Sequence, residues 1–176
     1  MREDALEFDR ANSADELLDW VDEKDRVIGR IFRKEAHENP QIIHREIRII
    51  LFDNKGRVLL QKRSPKKKVY PGFWAESCQG HVSSGKSYEE AAHEELLEEL
   101  GFDTDLRLME KTLIHHEKET HFAVWFLGRY NGEKIKIEPE EVSEIKMADR
   151  REFEKLILKN QLIKSSAEMI QKFWTI

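Results

Sequence analysis

Short apolar runs separated by turn-forming residues fill the first third of the chain. Leu17 to Val21 and Val27 to Phe32 flank the polar quartet Asp22 to Asp25, which predicts two strands joined in a hairpin. Ile47 to Phe52 and Arg57 to Gln61 repeat the arrangement around Asp53-Asn54-Lys55-Gly56, a turn signal between β-branched runs. Lys66 to Lys68 and then Pro71-Gly72 predict a loop, because like charges repel and proline and glycine interrupt either regular pattern. The period then changes. Between Ser87 and Gly101 the apolar residues Ala91, Ala92, Leu96 and Leu100 make one stripe of a helix, with Ser87 and Glu90 spaced as a capping box and Gly101 placed as a left-handed stop. Leu106 to His115 and His121 to Tyr130 predict two more strands around Glu117-Lys118-Glu119, and Asn131-Gly132 predicts a turn. Glu138-Pro139 opens an acidic loop, after which Arg150 to Leu158 and Ser165 to Phe173 carry helical periods.

Composition narrows this picture. At 176 residues the chain suits one domain with a sizeable core. Residues 1–14 are polar without a clear period and are expected to form a tail, leaving 15–176 as the domain. A net charge of −5 with 37% charged residues argues against a broad nucleic-acid surface, so any anion site must be local. The single cysteine, Cys78, excludes an internal disulfide. No apolar run suggests a signal peptide or membrane span, and the expected compartment is the cytoplasm. The oligomeric state is not given, and a homodimer stays open.

The candidate chemistry lies on the central helix. Glu95, Glu98 and Glu99 stand at i, i+3 and i+4, on one side of an α-helix, where like charges repel unless a cation neutralises them. Carboxylates of this kind suit Mg²⁺ or Mn²⁺, which keep waters and take further ligands from substrate phosphate. A glutamate-rich amphipathic helix can also be no more than a solvated surface helix.

The stretch GHVSSGKSYEEAAHEELLEELGF, Gly80 to Phe102, resembles the Nudix box G-x5-E-x7-R-E-U-x-E-E-x-G-U through Gly80, Glu95, Leu96, Glu98, Glu99, Gly101 and Phe102. Lys86 stands in a glutamate slot and Glu94 in an arginine slot. In that family the two slots form an ion pair tying loop to helix, so the resemblance implies a pair kept with its signs exchanged. Val21-Asp22-Glu23, Arg33, Ala36-His37, His44-Arg45, VLLQKRS from Val58, Lys67, Pro71-Gly72, Trp74 and Gly80-His81 extend the resemblance to the subgroup related to isopentenyl-diphosphate isomerase.

What this resemblance implies is an α/β fold, an α/β/α sandwich with a mixed sheet and a loop-helix-loop catalytic motif. It further implies a Mg²⁺ (or Mn²⁺) site at the Gly80 carbonyl, Glu95, Glu98 and Glu99, and a small-molecule diphosphate as substrate. Arg33, Arg63 and Lys67 match basic residues that hold phosphates in the isomerase, and His37, His44 and His81 match its three metal-binding histidines. His93, His115, His116 and His121 are expected to be ordinary surface or strand residues. The isomerase's catalytic cysteine falls in the slot of Gln79, and an amide cannot exchange protons with carbon. Cys78 is one residue away, which in a strand reverses its face. The reading that results is a metal-dependent pyrophosphohydrolase, beside an isomerase-like enzyme and a non-catalytic ligand-binding module. The general base stays open among the box glutamates, Glu140 and Glu141. Phe73 or Trp74 either packs beside the leaving group or belongs to the core.

Overall fold

The computed structural model describes residues 15–174, so the expected tail at 1–14 lies outside the described residues. The first two apolar runs form the hairpin read from the sequence: β1 (Leu17–Val21) and β2 (Val27–Phe32) pair antiparallel from Leu17 opposite Phe32. A single helical turn, α1 (Arg33–Ala36), then leads into β3 (Ile43–Phe52). This strand starts four residues earlier than the run from Ile47 suggests, which places His44 and Arg45 within the sheet.

β4 (Val58–Arg63) follows the Asp53 turn, where Gly56 adopts φ +72°. The two strands are not the hairpin that this turn predicts. They pair at one position, Phe52 with Val58. The edges of β3 are taken instead by β6 (Cys78–His81), antiparallel, and by β8 (Thr120–Arg129), parallel along its whole length from Ile43 opposite Thr120 to Phe52 opposite Arg129. β4 swings away to pair with β5 (Trp74–Ala75) and β9 (Val142–Ala148), while β7 (Leu106–His115) pairs with β8. The sequence reading missed β9, whose apolar residues follow no sustained alternation.

Alternation along β3 splits the core into two layers. Ile47, Ile49 and Leu51 face α2 (Tyr88–Glu99) and pack with its Ala91, Ala92 and Leu96. Ile50 faces the other way, joining Val58, Leu60 and Trp125 against Phe153 and Leu156 of α3 (Arg150–Leu158) and Ala167, Ile170 and Phe173 of α4 (Lys164–Phe173). The result is an α/β/α sandwich on a mixed sheet. Trp74 belongs to the second layer at 5% exposure, a core role rather than a leaving-group contact. α2 is delimited at both ends as its sequence suggests, by reciprocal Ser87 and Glu90 capping bonds and by Gly101 at φ +77°.

Candidate active site and histidine cluster

Neighbouring residues of β6 serve opposite faces of the sheet. Gly80 pairs with Ile47 and lies under α2, whereas His81 pairs with Glu46 and lies on the face of α3 and α4. At Gly80 a Cβ would fall 2.2 Å from Cδ of Glu95, so the carboxyl occupies the space that any side chain would need. Glu99 is 4% exposed, and its Oε2 has no hydrogen-bond partner. Glu95 is half-buried, and Glu98, one turn from Glu95, is exposed. Burial, reinforced by the charges of Glu99 and Glu98, raises the Glu95 carboxyl well above the usual range. Burial and the charge of Glu141 push Glu99 up to about 7. Carboxyls held so high while crowded together fit a divalent cation, which adds positive charge beyond that of Lys67 and Arg63.

The three carboxylates do not converge as closely as the histidines do. Among the described residues, the groups whose ligand atoms lie within 4.8 Å of one another are the two overlapping histidine clusters treated below. Arg63, 8% exposed, donates from Nε to the Val69 carbonyl at 2.9 Å, and the charges of Glu76, Glu99 and Glu141 act on its guanidinium. Lys67 pairs with Glu141 and Lys66 with Glu140, so the loop after β4 is strapped to the loop before β9. Arg33 pairs with Glu16 at 3.2 Å, and Glu16 also accepts from Ser83 Oγ at 3.0 Å. Lys86 pairs with Glu94 across the loop-to-helix junction, with side chains 35% and 46% exposed.

On the opposite face His37, His44 and His81 come together. His37 Nε2 lies 2.9 Å from His81 Nε2 and 3.4 Å from Glu119 Oε2. His121 is a strand residue, one of the alternatives expected for it, but it is 1% exposed and stands directly opposite His44 on the paired strand β8. That pairing joins strands far apart in sequence, and no local pattern discloses it. Burial, reinforced by the charge of His44, lowers His37 to about 4, and burial lowers His121 to about 4, so both rings are neutral at neutral pH. Burial likewise holds His81 well below the usual histidine range.

Beside this cluster runs a buried polar chain. Arg48 donates to Glu46 at 3.0 Å and to Glu76 at 3.2 Å, and Ser166 Oγ also donates to Glu76. With its amide turned so that the nitrogen faces Glu76, the Gln79 side chain donates to Glu76 at 3.1 Å and accepts from the Arg63 guanidinium. Cys78 is fully buried on the other face, where burial and then the Glu99 charge push its thiol well up.

This sandwich, with a loop-helix-loop motif over its central strand, defines a class that the comparisons identify. The model of the NUDIX domain matches residues 42–173, and the chain belongs to the Nudix family. Isopentenyl-diphosphate Delta-isomerase 2 of Photorhabdus laumondii is 37% identical over 148 residues, 81% of this chain and 82% of the relative. An uncharacterized Nudix hydrolase of Pseudomonas aeruginosa is 44% identical over 92 residues, 52% of this chain and 54% of the relative. Among solved structures, a Deinococcus radiodurans protein superposes with a TM-score of 0.75 at 23% identity, covering 89% of this chain and 98% of that one. A MutT protein of Methanosarcina mazei gives 0.65 at 21% identity, covering 77% and 94%. These two likenesses concern the fold.

Proposed function

We propose that this chain is a divalent-metal-dependent hydrolase that cleaves the diphosphate linkage of a nucleoside diphosphate derivative or a similar organic pyrophosphate. The observation that carries the reading is the packing of Glu95 onto Gly80 beside Glu99, which is buried with an unpartnered oxygen. Such a pocket is frustrated by like charge unless a cation enters it. A Mg²⁺ or Mn²⁺ ion held by Glu95, Glu98, Glu99 and the Gly80 carbonyl supplies positive charge against phosphoryl oxygens and makes water more acidic.

The chain's own residues do the rest. Arg63 and Lys67 hold the diphosphate, the former in a buried position where its charge is poorly screened. Lys67 leaves Glu141 to do so, which frees a carboxylate beside Glu99 to take a proton; Glu140 and the box glutamates remain alternative bases.

Isomerisation is the second reading, favoured by the printed names of relatives such as the Photorhabdus enzyme. Against it stands Gln79 in the cysteine slot. Any substrate carbon within reach of its side chain would also lie against Glu76 and Arg63, a charged wall that disfavours an alkenyl group. The test is a panel of nucleoside diphosphate derivatives, sugar nucleotides and prenyl diphosphates, each incubated with Mg²⁺, with Mn²⁺ and with chelator. Metal-dependent release of phosphate or nucleotide that disappears in Glu98→Gln and Glu99→Gln supports the proposal. Turnover unaffected by both substitutions would show that the carboxylates of α2 are not the centre.

A further inference from the structure

Lysines gather where the sheet meets α3, on the face away from the α2 carboxylates. Side chains along β4 alternate, so Lys62 follows Leu60 onto the side of α3 and α4. β9 places Lys146 opposite Leu60, and α3 supplies Lys155 and, just past its end, Lys159. The four line a cleft of about 450 Å³ whose walls include the buried Trp74 and Leu156. Two glutamates share these walls. Glu144 pairs with Lys62 at 3.4 Å, while Glu152 turns to the start of α3, where it accepts from the Asp149 backbone N–H at 3.1 Å. Among the described residues Lys146, Lys155 and Lys159 form no ion pair.

Three unpaired cations around one cleft stand out in a chain whose net charge is −5. Lysines in the last turn of a helix complement its dipole, which accounts for Lys155 and Lys159. It does not account for Lys62 and Lys146, whose ammonium groups both lie against the Trp74 ring, 5.6 and 5.3 Å from its centroid. The ring attracts each cation and so keeps two like charges near each other, ordered before any ligand arrives. An anion between them would relieve their repulsion. Lys155 and Lys159, four apart and so on one side of the helix, supply a second pair.

We propose that this cleft binds the phosphate chain of an oligophosphate, with Lys62 and Lys146 holding one end and Lys155 and Lys159 the other. Lysine is a compact point charge suited to phosphate oxygens. A chain suits the cleft better than a single phosphate, because it engages both cation pairs at once. Free nucleotides and inorganic polyphosphate share this chemistry. The site lies outside the proposed catalytic centre and stands whether or not the carboxylates of α2 hydrolyse a diphosphate.

The probe is inorganic tripolyphosphate, titrated into full-length protein in chelator, so that no metal draws it to α2, and followed by calorimetry and by amide NMR. Wild type should bind one equivalent at least about tenfold more tightly than orthophosphate, with shifts centred on Gly72, Lys155 and Gln161 of the cleft. Lys146→Gln combined with Lys155→Gln should weaken it at least about tenfold, whereas Lys67→Gln should leave it within about twofold. Adenosine triphosphate binding as well as tripolyphosphate would assign recognition to the phosphate chain alone, and tighter binding would assign it to a nucleotide; both support the site. Absence of binding, an affinity no better than that of orthophosphate, shifts confined to Gly80 to Glu99, or a loss in Lys67→Gln equal to that in the double variant would each overturn it. Should the double variant fail to fold, the wild-type shift map decides.

Discussion

The absence of a side chain at Gly80 determines how closely Glu95 approaches the sheet. In Gly80→Ala the new methyl would sit 2.2 Å from the Glu95 carboxyl carbon, so the carboxylate must move. We expect roughly tenfold to a hundredfold lower turnover, the range that misplacement of about an ångström produces. The overpacking cost should be about 1–3 kcal/mol. Turnover on the best substrate and chemical denaturation check both; unchanged turnover would mean that the position of Glu95 is immaterial. Glu99 makes a second prediction. Its folded value of about 7 exceeds the ordinary 4.5, so between those limits the native state of metal-free protein holds a proton that the unfolded chain releases. Stability therefore falls as pH rises through that window, by at most about 1.4 kcal/mol per pH unit. His37 and His121, lowered to about 4, act in the opposite sense, because their unfolded forms take up protons first as pH falls. The difference between wild type and Glu99→Gln in chelator isolates the carboxyl: wild type should lose ground to the variant as pH rises, and saturating Mg²⁺ should abolish the trend. Parallel curves would refute it. The glutamates were legible in the sequence because helical spacing alone fixes their common side. His121 was not, because its place depends on a register between distant strands.

At the scale of elements, α2 was the most readable part of the chain, since its stripe, capping box and terminal glycine all agree. The β3 and β4 segments were less so. Turn chemistry correctly marked Asp53 to Gly56, yet the partners of each strand are set by residues elsewhere in the chain, and no local signal announces β9. The junction into α2 supplies its own test. Lys86 and Glu94 touch, so Lys86→Glu alone opposes two carboxylates and Glu94→Arg alone opposes two cations. With side chains 35% and 46% exposed, solvent screens the pair, and a coupling of about 0.3–1 kcal/mol is expected from a double-mutant cycle in denaturant. The double variant should be nearer wild type than the two single changes together imply. Additive effects would leave the exchanged signs without energetic meaning.

At the scale of the molecule, the sheet separates two chemistries. The carboxylates of α2 lie on one face and the histidines with Gln79 on the other, joined through Arg63, which contacts Gln79 and feels the charge of Glu99. The proposed hydrolase reading predicts that the histidine face does not isomerise a prenyl diphosphate. Isopentenyl diphosphate incubated with the protein in heavy water should gain no deuterium at enzymatic rates, and incorporation would restore the isomerase reading. The central claim is tested most directly by running the best diphosphate substrate in heavy-oxygen water with Mg²⁺ and weighing the products. Hydrolysis at phosphorus places one heavy oxygen in a phosphate product, and Glu99→Gln should abolish that labelling while remaining folded. Products that carry no heavy oxygen, or labelling that persists undiminished in Glu99→Gln, would contradict the account.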